Sequence, residues 1–409
     1  MTRNTLHSSL TAAWQQSCSW CIAAFQHTSV LLVTVIVTLF IALACEREPK
    51  LHLHEGGPIK IVFPFVNLDL EAYWDYERVY GTKYDWKSEW YYGWDDKDAE
   101  LYGTIGYTEP KAFQLRGYYT KDDPTAPHTQ KRDESFTGNS HLLKVDWGFW
   151  DFLVWNDVVT LDGVQNLNFD ETSSLEYVTA YTNQTMSPSR YQAPRYTRSF
   201  WEPEALFAAY QEDVDINRDL EGFTYDPEEN IWIKNLKMYL YPITYIYLPQ
   251  IILHHNNNKI VNVDGSGNLS GMARTVNLNT GIPGTDAITV NYNLRFKPKC
   301  DMNGETVDII GGRFLTFGLC GLNPRNITQK VEIKDDLRHY MDVNMQFNNG
   351  LDSTFVFDLT DQVRKLYKGG VLTIELDMDT IPIPFRSGGS AFDAVVKDFE
   401  DGGTHEFEM

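Results

Sequence analysis

Residues Ile288–Phe296 read ITVNYNLRF, with apolar and polar side chains taking strict turns. On an extended chain this places Ile288, Val290, Tyr292, Leu294 and Phe296 on one face and their polar neighbours on the other. The same period of two returns at Met341, Val343, Met345 and Phe347, and again at Leu372, Ile374, Leu376 and Met378. Gly, Asn and Pro clusters separate these segments. Repeated alternation with turn punctuation predicts antiparallel sheets that bury one face and wet the other, so the fold class is all-β and this part of the chain is a β-sandwich.

Towards the C-terminus, Asp358–Leu366 (DLTDQVRKL) has a brief helical pattern, and the segment from Arg386 onward is rich in Gly and acidic residues, as a mobile tail is. Towards the N-terminus, a second unit is expected to begin near Ile231. The reading is two tandem domains, 46–230 and 231–385, followed by a tail, 386–409.

In the first of these units, Ile59–Val66 (IKIVFPFV) is interrupted by Pro64, which suggests an edge strand or a bulge. Phe149–Trp155 (FWDFLVW) reads as a buried central strand, and Leu175–Tyr181 as another. Lys121–Ser140, with Pro124 and Pro127 and no apolar period, reads as a polar loop. Pro203 is placed to open a helix over Glu204–Glu212, EALFAAYQE. Between Tyr73 and Trp94 stand ten aromatic residues in 22 positions. Exposed, Trp74, Trp86, Trp90 and Trp94 would form a stacking platform for sugars or a partner protein; packed on a sheet face, they are core.

The start of the chain carries a different signal. The fifteen residues Val30–Ala44 are apolar or weakly polar, run into Cys45, and give way at once to Glu46, Arg47 and Glu48. This is short of the roughly 18–20 residues of a spanning helix, and no Lys or Arg cluster flanks it. A short apolar run ending in small residues before a cysteine is the pattern of an export signal processed at a lipid-modified cysteine, so 1–45 reads as a lipoprotein signal and Cys45 as the lipidation site. The lipid makes the membrane a partner, with an outer-membrane, surface-exposed location expected. Cys18 and Cys21 lie inside this leader and read as incidental.

Composition narrows the function. A net charge of −21 excludes nucleic acid as a partner. Beyond the signal, Cys300 and Cys320 could close a loop worth on the order of 3 kcal/mol in an oxidising compartment, or stand as two buried free thiols. His254 and His255 are adjacent and on a strand would face opposite ways, so no metal is expected there. Asp213–Gly222 (DVDINRDLEG) imitates a calcium loop but has Arg218 where the turn needs Gly. Asp352-Ser353-Thr354 fits a short O-glycosylation pattern. Neither a nucleophile elbow nor a phosphate loop nor a zinc-protease motif follows Cys45. Acidic residues are common enough that a glycosidase pair could be nominated anywhere. No catalytic residue and no cofactor is therefore assigned, and the chain is expected not to be an enzyme.

Five segments together resemble the Bacteroidales fimbrillin-like lipoproteins: DFLVWND (Asp151–Asp157), KNLKMYLYPITYIY (Lys234–Tyr247), LSGMARTVNLNTG (Leu269–Gly281), GRFLTFGL (Gly312–Leu319) and FDLTDQV (Phe357–Val363). The resemblance extends over most of 46–385 in order and spacing. It implies two tandem transthyretin-like sandwiches on a lipid anchor, no catalytic centre, and a fimbrial subunit, anchor or tip as the role, with fimbrial subunits or a host or glycan ligand as partners. Subunits of that family mature by cleavage at an Arg; no such site is assignable here, which favours an anchor or tip role. The alternative is a glycan-binding lipoprotein of a polysaccharide-uptake system, using the tryptophan platform.

Overall fold

The computed structural model describes residues 64–73, 86–158, 165–170, 174–184, 199–323, 337–385 and the backbone of 394–395. The first half contributes β1 (Pro64–Ala72), β2 (Ala112–Thr120), β3 (Thr129–Thr137), β4 (Ser140–Lys144), β5 (Gly148–Asn156), β6 (Leu167–Asp170), β7 (Thr179–Thr182), β8 (Ser199–Trp201), β9 (Phe207–Ile216), β10 (Phe223–Asp226) and β11 (Ile231–Pro242). Two short helices, α1 (Trp86–Glu89) and α2 (Asp96–Tyr102), lie between β1 and β2.

One layer holds β4, β1, β11 and β10, and the other holds β3, β2, β5 and β9. They join where Tyr241 and Pro242 of β11 pair with Ala208 and Phe207 of β9. Val66, Leu68 and Leu70 alternate inward from β1 to meet Phe113, Leu115, Trp150, Phe152 and Val154 from β2 and β5. Pro64 is the first residue of its strand, a position that needs no ladder donor. β1 is an interior strand between β11 and β4, not an edge.

The second half comprises β12 (Tyr245–His254), β13 (Ile260–Ala273), β14 (Thr275–Asn277), β15 (Ala287–Asn293), β16 (Arg295–Met302), β17 (Glu305–Gly311), β18 (Phe314–Thr316), β19 (Tyr340–Phe347), β20 (Asp352–Asp358), β21 (Gly370–Asp377) and β22 (Ala394–Val395), with α3 (Thr360–Lys365) ahead of β21. β16, β17, β12, β18 and β21 form one sheet; β22, β20, β19, β13, β15 and β8 form the facing one. The alternating residues of Ile288–Leu294, Met341–Phe347 and Leu372–Met378 meet in a single core between them. Pairing is mostly antiparallel, with parallel ladders at β1–β11, β12–β21, β8–β15 and β20–β22. A third, three-stranded sheet (β14, β7, β6) lies over an apolar layer to which both halves contribute, including Trp155, Leu206, Val276, Phe317 and Cys320.

Three further readings of local structure are corrected. Glu204–Glu212 is not a helix: from Phe207 it is β9, placed between β5 and β11, where partner strands on both sides override the helix propensity of its Ala and Glu residues. Lys121–Ser140 is not all loop. Its Thr129–Thr137 segment is β3, paired on one side to β2, with the charges of Lys131, Arg132, Asp133 and Glu134 along an edge strand. Ile231, expected to open the second unit, begins β11, which runs parallel to β1 inside the first half.

Candidate functional site

β12 is buried along both faces, from Tyr245 to Leu253. Tyr247, Ile251 and Leu253 enter the core between the two sheets, whereas Ile246, Leu248 and Ile252 point the other way. What covers that outer face is the aromatic segment. Trp90 is only 7% exposed, and Tyr92 packs beside it with Val307, Ile309 and Leu315. Trp86 and Trp94 flank Trp90 with ring centroids 6.0 and 5.9 Å away, both half-buried.

Polar bonds pin this cover. Gln250, fully buried on β12, accepts from the Tyr91 amide at 2.9 Å and donates to the Glu89 carbonyl at 2.7 Å. Asp98 of α2, also fully buried, accepts the Tyr92 hydroxyl at 2.8 Å and contacts Arg295 and Lys297 of β16. The platform is therefore corrected to a sheet cover, because Trp90, its central member, faces Ile246 and Leu248 rather than solvent. Trp74 lies outside the described residues, as does Cys45.

Where this cover meets the segment between β8 and β9 there is a cavity of about 390 Å³. It is lined by residues from the stretches Leu101–Thr108 and Glu202–Phe207, together with Arg313 and Leu315. Side-chain bonds fix the second stretch. Asn156 at the end of β5 accepts the Phe207 amide and donates to the Ala205 carbonyl, and Thr244 Oγ1 accepts the Leu206 amide. The Glu204 carboxylate accepts the Asn166 and Leu167 amides at 2.7 and 2.8 Å. Burial raises Glu204 above the ordinary carboxylate range, against the pull of those amides.

Glu202 accepts the Leu315 amide through Oε2 at 2.9 Å. Burial pushes its carboxyl up to about 7, with the positive charge of Arg313 and the Leu315 amide acting in the opposite direction. Arg313 is 7% exposed and donates through Nε to the Ile105 carbonyl at 3.0 Å. Desolvation lowers the guanidinium pKa from its usual value. A carboxyl and a buried guanidinium thus face one cavity, although neither was singled out in the sequence. The legible signal was an arginine inside the apolar run GRFLTFGL, a charge that folding has to bury or present.

The remaining residues of interest lie elsewhere. Cys300 and Cys320 are free thiols: Cys300 Sγ donates to the Lys297 carbonyl on β16, and Cys320 Sγ to the Gly271 carbonyl on β13. The bridge between them is not formed. His254 pairs with Glu305 and His255 with Asp377, so the neighbours serve different acids. In Asp213–Gly222, Asp215 is bonded by Asn217 and Asp219 by the Glu221 amide. Two groups, His128-Asp151-Asp213 and His255-Asp377-Asp379, bring three ligand-type atoms within 4.8 Å of one another; each is already joined internally by a His–Asp pair. Ser353, central to the glycosylation pattern, is buried on β20. Among the described residues no helix is long and apolar enough to cross a membrane.

The outer strand β20 offers a feature of a different kind. Tyr340–Gln346 of β19 pairs with it along its whole length, while on its far side β22 pairs only at Phe355 and Val356.

No family model matches this chain, and no curated protein does. Solved structures with which it aligns include a candidate adhesin from Bacteroides ovatus ATCC 8483, at 14% identity and TM-score 0.42 over 78% of this chain and 93% of that one. A candidate adhesin from Bacteroides thetaiotaomicron aligns at 8% identity and TM-score 0.41, over 80% and 94%. The fimbrial anchor protein Mfa2 from Porphyromonas gingivalis aligns at 11% identity and TM-score 0.39, over 77% and 90%. The three are described as adhesins and as a fimbrial anchor protein.

Proposed function

We propose that this protein is a surface-exposed structural or adhesive lipoprotein related to fimbrial components, held at the outer membrane by lipid on Cys45 and acting through protein contacts without catalysis. Its working body is two sandwich domains, with the division after Pro242, where β11 leaves the first sheet and β12 enters the second. The observation that carries the reading is the β20 edge. A two-residue strand from beyond Phe385 pairs with the centre of a seven-residue outer strand, so an extended segment is already accommodated there. Strand addition of this kind is a recurrent way for sheet proteins to join, because the backbone ladder supplies affinity. The charge of −21 suits a solvated display protein, and the short apolar run before Cys45 suits a lipid tether.

The test is to shear surface filaments from cells that produce the protein and probe them for it. Co-purification is expected, with loss of anchoring or tip structures when the gene is deleted. Filaments of normal length and attachment that lack the protein would sink the reading. Mass spectrometry of the mature N-terminal peptide tests the tether separately: a diacylglyceryl mass on Cys45 is expected, and an unmodified Cys45 would remove that part.

A further inference from the structure

Arg313 and Glu202 face the same cavity, and each charge is felt by the other. Yet no ion pair joins them, and the only hydrogen bonds that they make to described residues are the backbone ones at Ile105 and Leu315. The two terminal nitrogens of an arginine that is nine-tenths buried thus have no acceptor among the described residues, across a gap from a carboxylate oxygen that has no donor among them. These atoms reach the cavity space and are open to whatever occupies it, water or a ligand. A group that donates to the carboxylate while accepting from the guanidinium would satisfy both, and hydroxyls do this.

We propose that the cavity holds one neutral sugar ring, with neighbouring hydroxyls bridging Glu202 and Arg313. The volume of about 390 Å³ lies within the range of roughly 300–1,000 Å³ of small-ligand sites. The lining favours a neutral ligand that both donates and accepts: an anion would meet the carboxyls of Glu202 and Glu204 as well as the one guanidinium. A simple cation would satisfy Glu202 and be repelled by Arg313. The rim carries the uncharged amides of Asn166 and Asn293, and Tyr107 supplies an aromatic wall whose hydroxyl is already committed to the Thr244 carbonyl. None of the tryptophans takes part. This inference rests on the adhesive reading, in that it names what a surface protein of this kind would grip.

The experiment is titration calorimetry and saturation-transfer NMR on the full-length protein, with glucose, galactose, mannose, N-acetylglucosamine, fucose and rhamnose as the sugar probes and with glycine and inorganic phosphate alongside. At least one sugar is expected to bind. Glu202→Gln retains the acceptor for the Leu315 amide, and Ala205→Phe fills the cavity without touching either charge. Each is expected to weaken binding at least tenfold while leaving the melting temperature within a few degrees. Arg313→Lys should do likewise, but Arg313 also supports Ile105, so the first two variants carry the test if it misfolds. No sugar binding, binding insensitive to Glu202→Gln and Ala205→Phe, or binding only of glycine or phosphate would each overturn the proposal. Failure here with filament association intact would leave the fimbrial reading standing; sugar binding without filament association would do the reverse.

Discussion

Asn156 and Phe207 meet where β5 ends and β9 begins: the Asn156 Oδ1 accepts the Phe207 amide at 2.6 Å, while Nδ2 donates to the Ala205 carbonyl at 3.0 Å. One buried amide side chain thereby stands in for a ladder at the point where the chain leaves the cavity wall and enters the first sheet. This explains why a polar residue ends the apolar run DFLVWN.

Asn156→Ala would strand the Phe207 donor and the Ala205 acceptor. We expect a loss of about 2–6 kcal/mol, at about 1–3 kcal/mol for each of the two groups left unpaired. Asn156→Asp should recover only part, because it keeps an acceptor for Phe207 but turns a charge towards the Ala205 carbonyl. Urea midpoints read by tryptophan fluorescence check both, and an alanine variant as stable as the parent would show that the staple is idle.

Asp98 makes a second prediction, about the aromatic cover. It is fully buried, caps its own helix reciprocally with Asp95, and contacts Arg295, Lys297 and the Tyr92 hydroxyl. Removing one side of a buried charge cluster typically costs about 3–5 kcal/mol, because the partners remain buried and unpaired. Asp98→Ala should show this cost, together with increased solvent access at Trp90. Asp95→Ala removes a half-exposed cap and should cost about 1 kcal/mol. If the two variants cost the same, the burial of Asp98 contributes nothing.

The contrast between those two acids also shows what could be read from the chain beforehand. Strict alternation at Ile288–Phe296 and its two echoes specified the second sandwich, because a period of two has one meaning wherever one face is wet. β12 lacked that clarity: both its faces are covered, so TYIYLPQIIL, apolar apart from Thr244 and Gln250, shows no alternation, and its second partner lies some 150 residues earlier in the chain. The tryptophans were ambiguous for the same reason. An aromatic cluster has the same letters on a surface and on a covered sheet, and Gln250, the residue that draws the cluster down, gives no local signal. At the cavity, Glu202 and Arg313 are more than a hundred residues apart and only the fold brings them together.

Glu202 and His339 oppose one another in their effect on pH stability. The Glu202 carboxyl is pushed from 4.5 up to about 7 by burial, so the folded state keeps a proton that the unfolded chain gives up, and stability falls as pH rises from 4.5 to 7. Burial takes the His339 imidazole from 6.5 down to about 4, so the unfolded chain binds the proton first, and stability falls as pH drops from 6.5 to 4. Across the shared window the two slopes cancel. Glu202→Gln should remove one of them. The stability of the variant minus that of the parent is expected to climb from pH 4.5 to 7 by at most about 3 kcal/mol, at about 1.36 kcal/mol for each pH unit that separates the folded and unfolded pKa. A difference that is flat across this range would mean that Glu202 titrates as an ordinary surface acid.

Thiol chemistry provides the last prediction, and it follows from where the two cysteines pack. Cys320 sits 4% exposed in the apolar layer shared by the halves, its thiol pushed up to about 12 by burial. Cys300 is half-buried on β16 behind the aromatic cover, and burial raises its thiol as well, against the nearby charge of Lys297. Since the thiolate is the reactive form, both should be slow towards a thiol reagent in the folded protein, with Cys300 reacting first because the reagent can reach it. In urea without reductant, peptide mass mapping should find both alkylated, and adding reductant should leave the melting temperature unchanged. Recovery of a linked Cys300–Cys320 peptide would require the Lys297 and Gly271 carbonyls to lose their thiol donors, and would place a loop-closing bond worth about 3 kcal/mol where the structure has two independent contacts.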